Sequence, residues 1–193
     1  MKRRTILDLR GLVLHSLHSI TYADEAKVTA SGVKINSLGQ TLAIFIDRYL
    51  LPATEDSRLN DIIAVQDAGN DYRTALYPSY KAHRKAVDDE ELTNTRREAV
   101  RVVLDLLKCL GIPIAHVPGT EADDVIAYLV RHLQDVKFIH TVDQDLLQLN
   151  DDNTAIFLKE VMADDEGMKV SVTAGDFYVR PKHIALYLSL IHI

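Results

Sequence analysis

Apolar residues along this chain fall into short runs separated by longer amphipathic stretches. "RTILDL" (4–9), "DIIAVQD" (61–67), "IPIAHV" (112–117) and "VKFIHTVD" (136–143) are rich in Ile, Val or Leu and lack a helical period. Runs of that length and composition predict short, buried β-strands. A further pair, "TAIFLKEV" (154–161) and "MKVSVT" (168–173), flanks the polar "MADDEG" and predicts a small β-hairpin. Between the strands the period changes. Leu38, Leu42, Ile46 and Leu50 recur at one helical turn within 35–50. "LTNTRREAVRVVLDLLKCLG" (92–111) combines a cap-like Thr or Asn, good helix formers and a terminal Gly111. Residues 21–34 and 51–60 are polar enough to predict loops.

Strands alternating with helices predict an α/β fold with a mostly parallel central sheet flanked by helices. Sheets of that kind bind ligands beyond the carboxyl ends of their strands, so the strand ends are where chemistry is expected. The stretch "AGNDYRTALYPSYKAHRKAVDDEE" (68–91) is long, basic and aromatic with no clear period. A connection of that length in a compact domain usually has a function. No internal repeat or low-complexity segment is present.

Carboxylates gather at the predicted strand ends. The first strand ends at Asp8, the second at Asp67, and the fourth at Asp143, with Asp145 two positions later. "IPIAHV" leads through Pro118-Gly119 into Glu121, Asp123 and Asp124 at the start of an apolar helix. Each has an ordinary explanation alone. Acids suit the first turn of a helix, Thr120 with Asp123 is nearly a capping box, and Asp67 before Ala68-Gly69-Asn70 could start a turn. Together they are harder to explain, because crowded carboxylates repel unless a cation or proton intervenes. Hard divalent ions take oxygen ligands, and Mg²⁺ uses one or two carboxylates with retained water. Seven acids suffice for two ions, Mg²⁺ or Mn²⁺, which can hold the attacking and leaving oxygens of a phosphodiester in line.

Composition changes this picture little. A chain of 193 residues suits one domain, and the net charge of -6 argues against nucleic acid only if the charges are evenly spread. They are not: Arg73, Lys81, Arg84, Lys85, Arg96, Arg97 and Arg101 form a basic segment apart from the acids. Lys81 and Arg84, three apart, would share a helix face and contact phosphates, with Tyr80 beside them to stack on a base. Arg73 and Lys85 extend the same substrate-binding segment. The single Cys109 excludes an internal disulfide. The basic-then-apolar N-terminus is interrupted by Asp8 and Arg10, and no run approaches the roughly 18 apolar residues of a membrane helix. A soluble, cytoplasmic protein is expected. His15, His18, His116 and His140 lack metal-ligand spacing and read as ordinary core or surface residues. No Walker loop, dinucleotide glycine fingerprint or G-x-S-x-G elbow occurs.

"DIIAVQDAGNDYRTALYPSYKAHR", "GTEADDVIAYL" and "TVDQDLLQL", in that order, resemble the 5′→3′ exonuclease and flap endonuclease family. That family includes the 5′-nuclease domain of bacterial DNA polymerase I and stand-alone phage enzymes. The resemblance implies a PIN-like or resolvase-like core with a helical arch over about 68–91. It implies a metal-dependent nuclease, in DNA replication or repair, acting as a monomer on 5′ ends, flaps or branches of DNA. By the same resemblance Asp8, Asp67, Glu121, Asp123, Asp124, Asp143 and Asp145 match the acidic metal site. Lys81 and Arg84 match the phosphate-contacting pair of the arch, and Tyr80 would stack near the displaced nucleotide. Where the family often has Asp-Gly-x-x-x-x-x-Arg, this chain has "DLRGLVLHS", with the glycine shifted. "HIALYLSL" (183–190) resembles the lead into the family's helix–three-turn–helix motif, but the chain then reads Ile191-His192-Ile193. The expectation is a catalytic core over 1–187, an aberrant tail over 188–193, and a missing C-terminal DNA-binding portion. The rival readings are a PIN-type ribonuclease and a non-catalytic nucleic-acid-binding fragment.

Overall fold

β1 (Arg3–Asp8), β2 (Ile62–Val65), β3 (Ile114–Ala115), β4 (Val136–Thr141) and β5 (Thr154–Leu158) form one sheet in the order β3-β2-β1-β4-β5. Every pairing in it is parallel. The computed structural model describes residues 2–21, 37–80 and 90–158. Strand order runs outward from β1 first to one side and then to the other, so the chain reverses direction across the sheet between β1 and β4. In open α/β sheets that reversal opens a crevice at the carboxyl ends of the strands.

The strands' short apolar runs are explained by cores on both faces. Leu7, Ile62 and Ala64 turn to a core containing Leu12 and Val13 of α1 (Leu9–Thr21), Phe45 of α2 (Ser37–Phe45), and Val103 and Leu107 of α5 (Glu90–Cys109). Ile6, Val65, Ile139 and Ile156 turn the other way, onto Val125 and Ile126 of α6 (Ala122–His132) and Leu146 of a 3₁₀ segment, Gln144–Leu149. Gly111 ends α5 with φ 71°, a conformation that favours glycine, as its position in the sequence suggested.

Three expectations change. Residues 51–60, predicted as loop, contain α3 (Leu51–Asp56), which follows α2 through a π-helical stretch, Ile46–Leu50. Pro52 falls in the first turn of α3, where no backbone donor is lost, and Ala53 is buried, so polarity alone was a poor guide. Thr154–Leu158, expected as one arm of a hairpin, is a strand that also pairs parallel with β4 as the fifth strand of the central sheet. Its expected partner, 168–173, and the proposed boundary at 187 lie outside the described residues. The 68–91 stretch contains a short helix, α4 (Asp71–Leu76), and residues 81–89 lie outside the described residues. Among the described residues, no helix is long and apolar enough to cross a membrane.

Ile139 is fully buried at the middle of β4, in the second core. Ile139→Ala should cost about 2–5 kcal/mol in urea denaturation. A loss below about 1 kcal/mol would contradict this placement.

Candidate metal centre

Register determines the centre of the site. Leu7 pairs with His140, which sets Asp8 at the end of β1 beside Thr141 at the end of β4. Thr141 Oγ1 donates to Asp8 Oδ2 at 2.7 Å, and only 6% of Asp8 is exposed. A Cβ at Gly11 would stand 2.9 Å from the same Oδ2, so glycine lets the first turn of α1 close over the carboxylate. The shifted glycine of "DLRG" thus lies directly against Asp8.

Asp67 follows β2 by two residues, and its Oδ1 accepts a hydrogen bond from Ala122 N at 2.9 Å. It therefore caps α6 from another part of the chain, while Glu121 at the N-cap position makes no side-chain cap bond. The two loops are locked backbone to backbone. Gly119 N donates to Ala68 O at 2.8 Å and Ala68 N to Thr120 O at 3.1 Å. Gly69 and Gly119 have φ of 115° and 72°, and a Cβ on Gly69 would lie 3.3 Å from Gly119 Cα. Only glycine suits that contact. Asp143 is held on the other side, its N–H donating to Thr141 Oγ1 at 2.9 Å and its Oδ1 accepting from Asp145 N at 2.8 Å.

Asp8, Asp67, Glu121, Asp123, Asp143 and Asp145 line one open cleft of about 510 Å³, together with Arg10. Burial pushes the Asp8 carboxyl up to about 6; the Thr141 hydrogen bond opposes this, and the charges of Asp123, Asp67 and Asp143 add to it. These four carboxylates are one electrostatic unit. Asp124 is directed elsewhere: Arg73 of α4 grips it with Nη2 at 2.7 Å and Nε at 3.2 Å, a two-pronged contact. Arg73 Nη1 also lies 3.1 Å from Glu121 Oε2 and donates to Tyr80 Oη at 2.8 Å, and Tyr80 Oη donates to Glu121 Oε2 at 3.0 Å.

The seven predicted acids therefore divide. Asp8, Asp67, Asp123 and Asp143 converge, Glu121 and Asp145 border the cleft, and Asp124 is drawn away by Arg73. Arg73, expected to touch substrate, is paired here with Glu121 and Asp124, and Tyr80 hydrogen-bonds within the same group. Lys81, Arg84 and Lys85 lie outside the described residues. Thr141, Gly11 and Arg10 were missed as site residues. The available signals were a Thr two residues before Asp143 and a glycine three residues after Asp8.

Among the described residues, no three His, Cys, Asp or Glu side chains close into a ready ligand cage. The lining nevertheless suits a hard cation: its acidic donors are all carboxylates, with no thiolate or imidazole, and open space remains for water. The histidines serve elsewhere. His140 stacks on Phe157 at 4.7 Å in the sheet, and His15 hydrogen-bonds the Tyr49 hydroxyl.

This sheet, with acids at its central strand ends, is the architecture of a nuclease-type α/β domain. Residues 4–175 match the family described as 5'-3' exonuclease, N-terminal resolvase-like domain, and the chain belongs to that family. It is similar to a 5'-3' exonuclease of Aquifex aeolicus, 31% identical over 195 residues, with 99% of this chain and 62% of that protein covered. It is also similar to DNA polymerase I of Chloroflexus aurantiacus, 32% identical over 169 residues, covering 86% of this chain and 17% of the polymerase. The fold resembles the 5'-exonuclease of T5 with bound zinc, with a TM-score of 0.55 and 24% identity over 81% of this chain and 55% of that one. It likewise resembles the bacteriophage T5 flap endonuclease in a pseudo-enzyme-product complex with DNA and metal ions, with a TM-score of 0.58 and 22% identity over 81% of this chain and 55% of that one. This chain thus spans less than two thirds of these proteins' lengths.

Asp8 holds its proton more tightly folded than unfolded, so its contribution to stability is full below pH 4 and is lost as pH rises through about 6. Without metal, this one group should lower stability by ~3 kcal/mol across that window. Asp8→Asn cannot ionise and should remove that slope, melting higher than the parent at pH 7.5 in EDTA. Parallel melting profiles for the two proteins would contradict the assignment. Thr141→Val should weaken metal binding about 10–100-fold, as loss of a ligand's supporting partner does. Calorimetric titration would show this, and an unchanged affinity would count against the Thr141 role.

Proposed function

We propose that this chain is the catalytic part of a divalent-metal-dependent 5′ nuclease that hydrolyses DNA phosphodiesters near 5′ ends, flaps or branches. The observation that carries this reading is the convergence of Asp8, Asp67 and Asp143, just at or after strand ends, with Asp123 in the first turn of α6, in a chain of the 5'-3' exonuclease family. The names of the relatives, 5'-3' exonuclease and DNA polymerase I, support it. The cation is Mg²⁺ or Mn²⁺, and two ions fit the number of acids.

When bound, the ions supply charge neutralisation and Lewis-acid polarisation at the scissile phosphate. Asp8 and Asp123 are the direct anchors, with Thr141 orienting Asp8 through its 2.7 Å hydrogen bond. Asp67 anchors with one oxygen while the other caps α6. Asp143 and Asp145 hold the opposite side, Asp145 more exposed and suited to contact through water. Glu121 and Asp124 are electrostatically quieted by Arg73, which keeps that wall from flying apart under its own charge. Lys81 and Arg84 grip phosphates, Lys85 adds charge, and Tyr80 positions the nucleotide. The protein acts as a monomer.

The test is cleavage of a labelled 5′-flap DNA with Mg²⁺ or Mn²⁺. Cleavage should stop with EDTA, and Asp123→Asn should lower the rate by more than about 100-fold, beyond the range of supporting partners. A folded chain that binds flap DNA yet never cuts it with either ion would overturn the catalytic reading. Cleavage of single-stranded RNA but not flap DNA would favour a PIN-type ribonuclease instead.

A further inference from the structure

Arg73 bridges two of the acids. Its Nη2 and Nε hold both oxygens of Asp124 at 2.7 and 3.2 Å, and its Nη1 lies 3.1 Å from Glu121 Oε2. A guanidinium between two carboxylates seeks the same oxygens as a hard divalent ion. It also cancels one of the two formal charges of that pair, which weakens the pull of Glu121 and Asp124 on a further cation. Around Asp8 the balance differs. The charges acting there, from Asp123, Asp67 and Asp143, are all negative. A cation is therefore drawn first to the Asp8 group.

The Arg73 bridge is of a kind that can open. α4 buries none of its six residues, and Tyr72 and Leu76 are 60% and 72% exposed. Packing does little to fix such a helix, so its ion pair with α6 has a large share in holding it. That pair is within reach of solvent, with the Arg73 side chain 31% and Asp124 36% exposed. An exposed pair contributes little to stability, so its exchange for another cation costs little. Opening a buried pair would strand an uncompensated charge. Tyr80 belongs to the same bridge, its hydroxyl accepting from Arg73 Nη1 and donating to Glu121 Oε2.

Resting on the metal-dependent reading above, we propose that Arg73 is an internal counter-cation that yields Asp124 to a divalent ion. The Asp8 group takes the first ion. The wall of Glu121 and Asp124 takes a second only as Arg73 leaves Asp124. Tyr80 loses that arginine donor in the same step, so filling the wall loosens α4 and the chain at Tyr80. Arg73 is thus a positioning residue that sets the order in which ions bind.

Calorimetric titration of the full chain with Mn²⁺ alone, without DNA, tests this. The parent should bind one ion more tightly than a second. R73Q should tighten the second ion at least about tenfold while leaving the first within about twofold. A merely structural role predicts the opposite, weaker binding of both. R73K keeps the charge but not the two-pronged grip, and its second ion should bind with intermediate affinity. R73Q/D124N should lose the tightened second ion. If R73Q does not fold, R73K decides, since its second ion must still bind more tightly than the parent's. A second ion bound no more tightly once the grip is removed, or an equal change at both ions, would overturn the exchange and leave the metal reading standing. If the parent binds no Mn²⁺ at all, the metal reading fails with it.

Discussion

The burial of Asp8, with other carboxylates close by, is the constraint on which the rest of this structure depends. An ionised group with 6% exposure and three acidic neighbours is costly, and its carboxyl is accordingly raised to about 6. The fold tolerates this because the acids are held by strong local ties that cannot relax away from one another. Thr141 fixes Asp8, the N-terminus of α6 fixes Asp67, and the turn after β4 fixes Asp143. The same ties that store the repulsion keep the donors arranged for a cation.

The backbone is subordinated to that arrangement. The sheet order β3-β2-β1-β4-β5 puts Asp8 in the middle strand, with acids arriving from both sides. Gly69 and Gly119 let two loops touch, which couples the position of Asp67 to that of α6. Arg73 balances the excess negative charge of Glu121 and Asp124, and Tyr80 links that pair to the start of the basic stretch. Charge of the opposite sign, from Arg10, Arg96, Arg97 and Arg101, lines the adjoining cleft.

Much of this was legible in the sequence, for identifiable reasons. Four strands read correctly because a sheet covered on both faces requires short unbroken apolar runs. Strand-end acids could be placed together because parallel topology sends every carboxyl end to one edge. What escaped was three-dimensional pairing. Nothing in "DYRTAL" says that Arg73 will reach Asp124, 51 positions later. Thr154–Leu158 was legible as a strand, but only the sheet's register shows it beside β4. Polarity over 51–60 concealed α3, whose buried contact is a single small residue, Ala53.

The claim at the centre of this account is that a divalent cation binds by relieving the repulsion around Asp8. Calorimetric titration with Mn²⁺ at pH 6, in buffers of different ionisation enthalpy, measures the protons released as the ion binds. With the Asp8 carboxyl at about 6, the account predicts release of about half a proton from that residue, and binding that tightens between pH 5 and pH 7.5. Binding without proton release and with equal affinity at both pH values would contradict it.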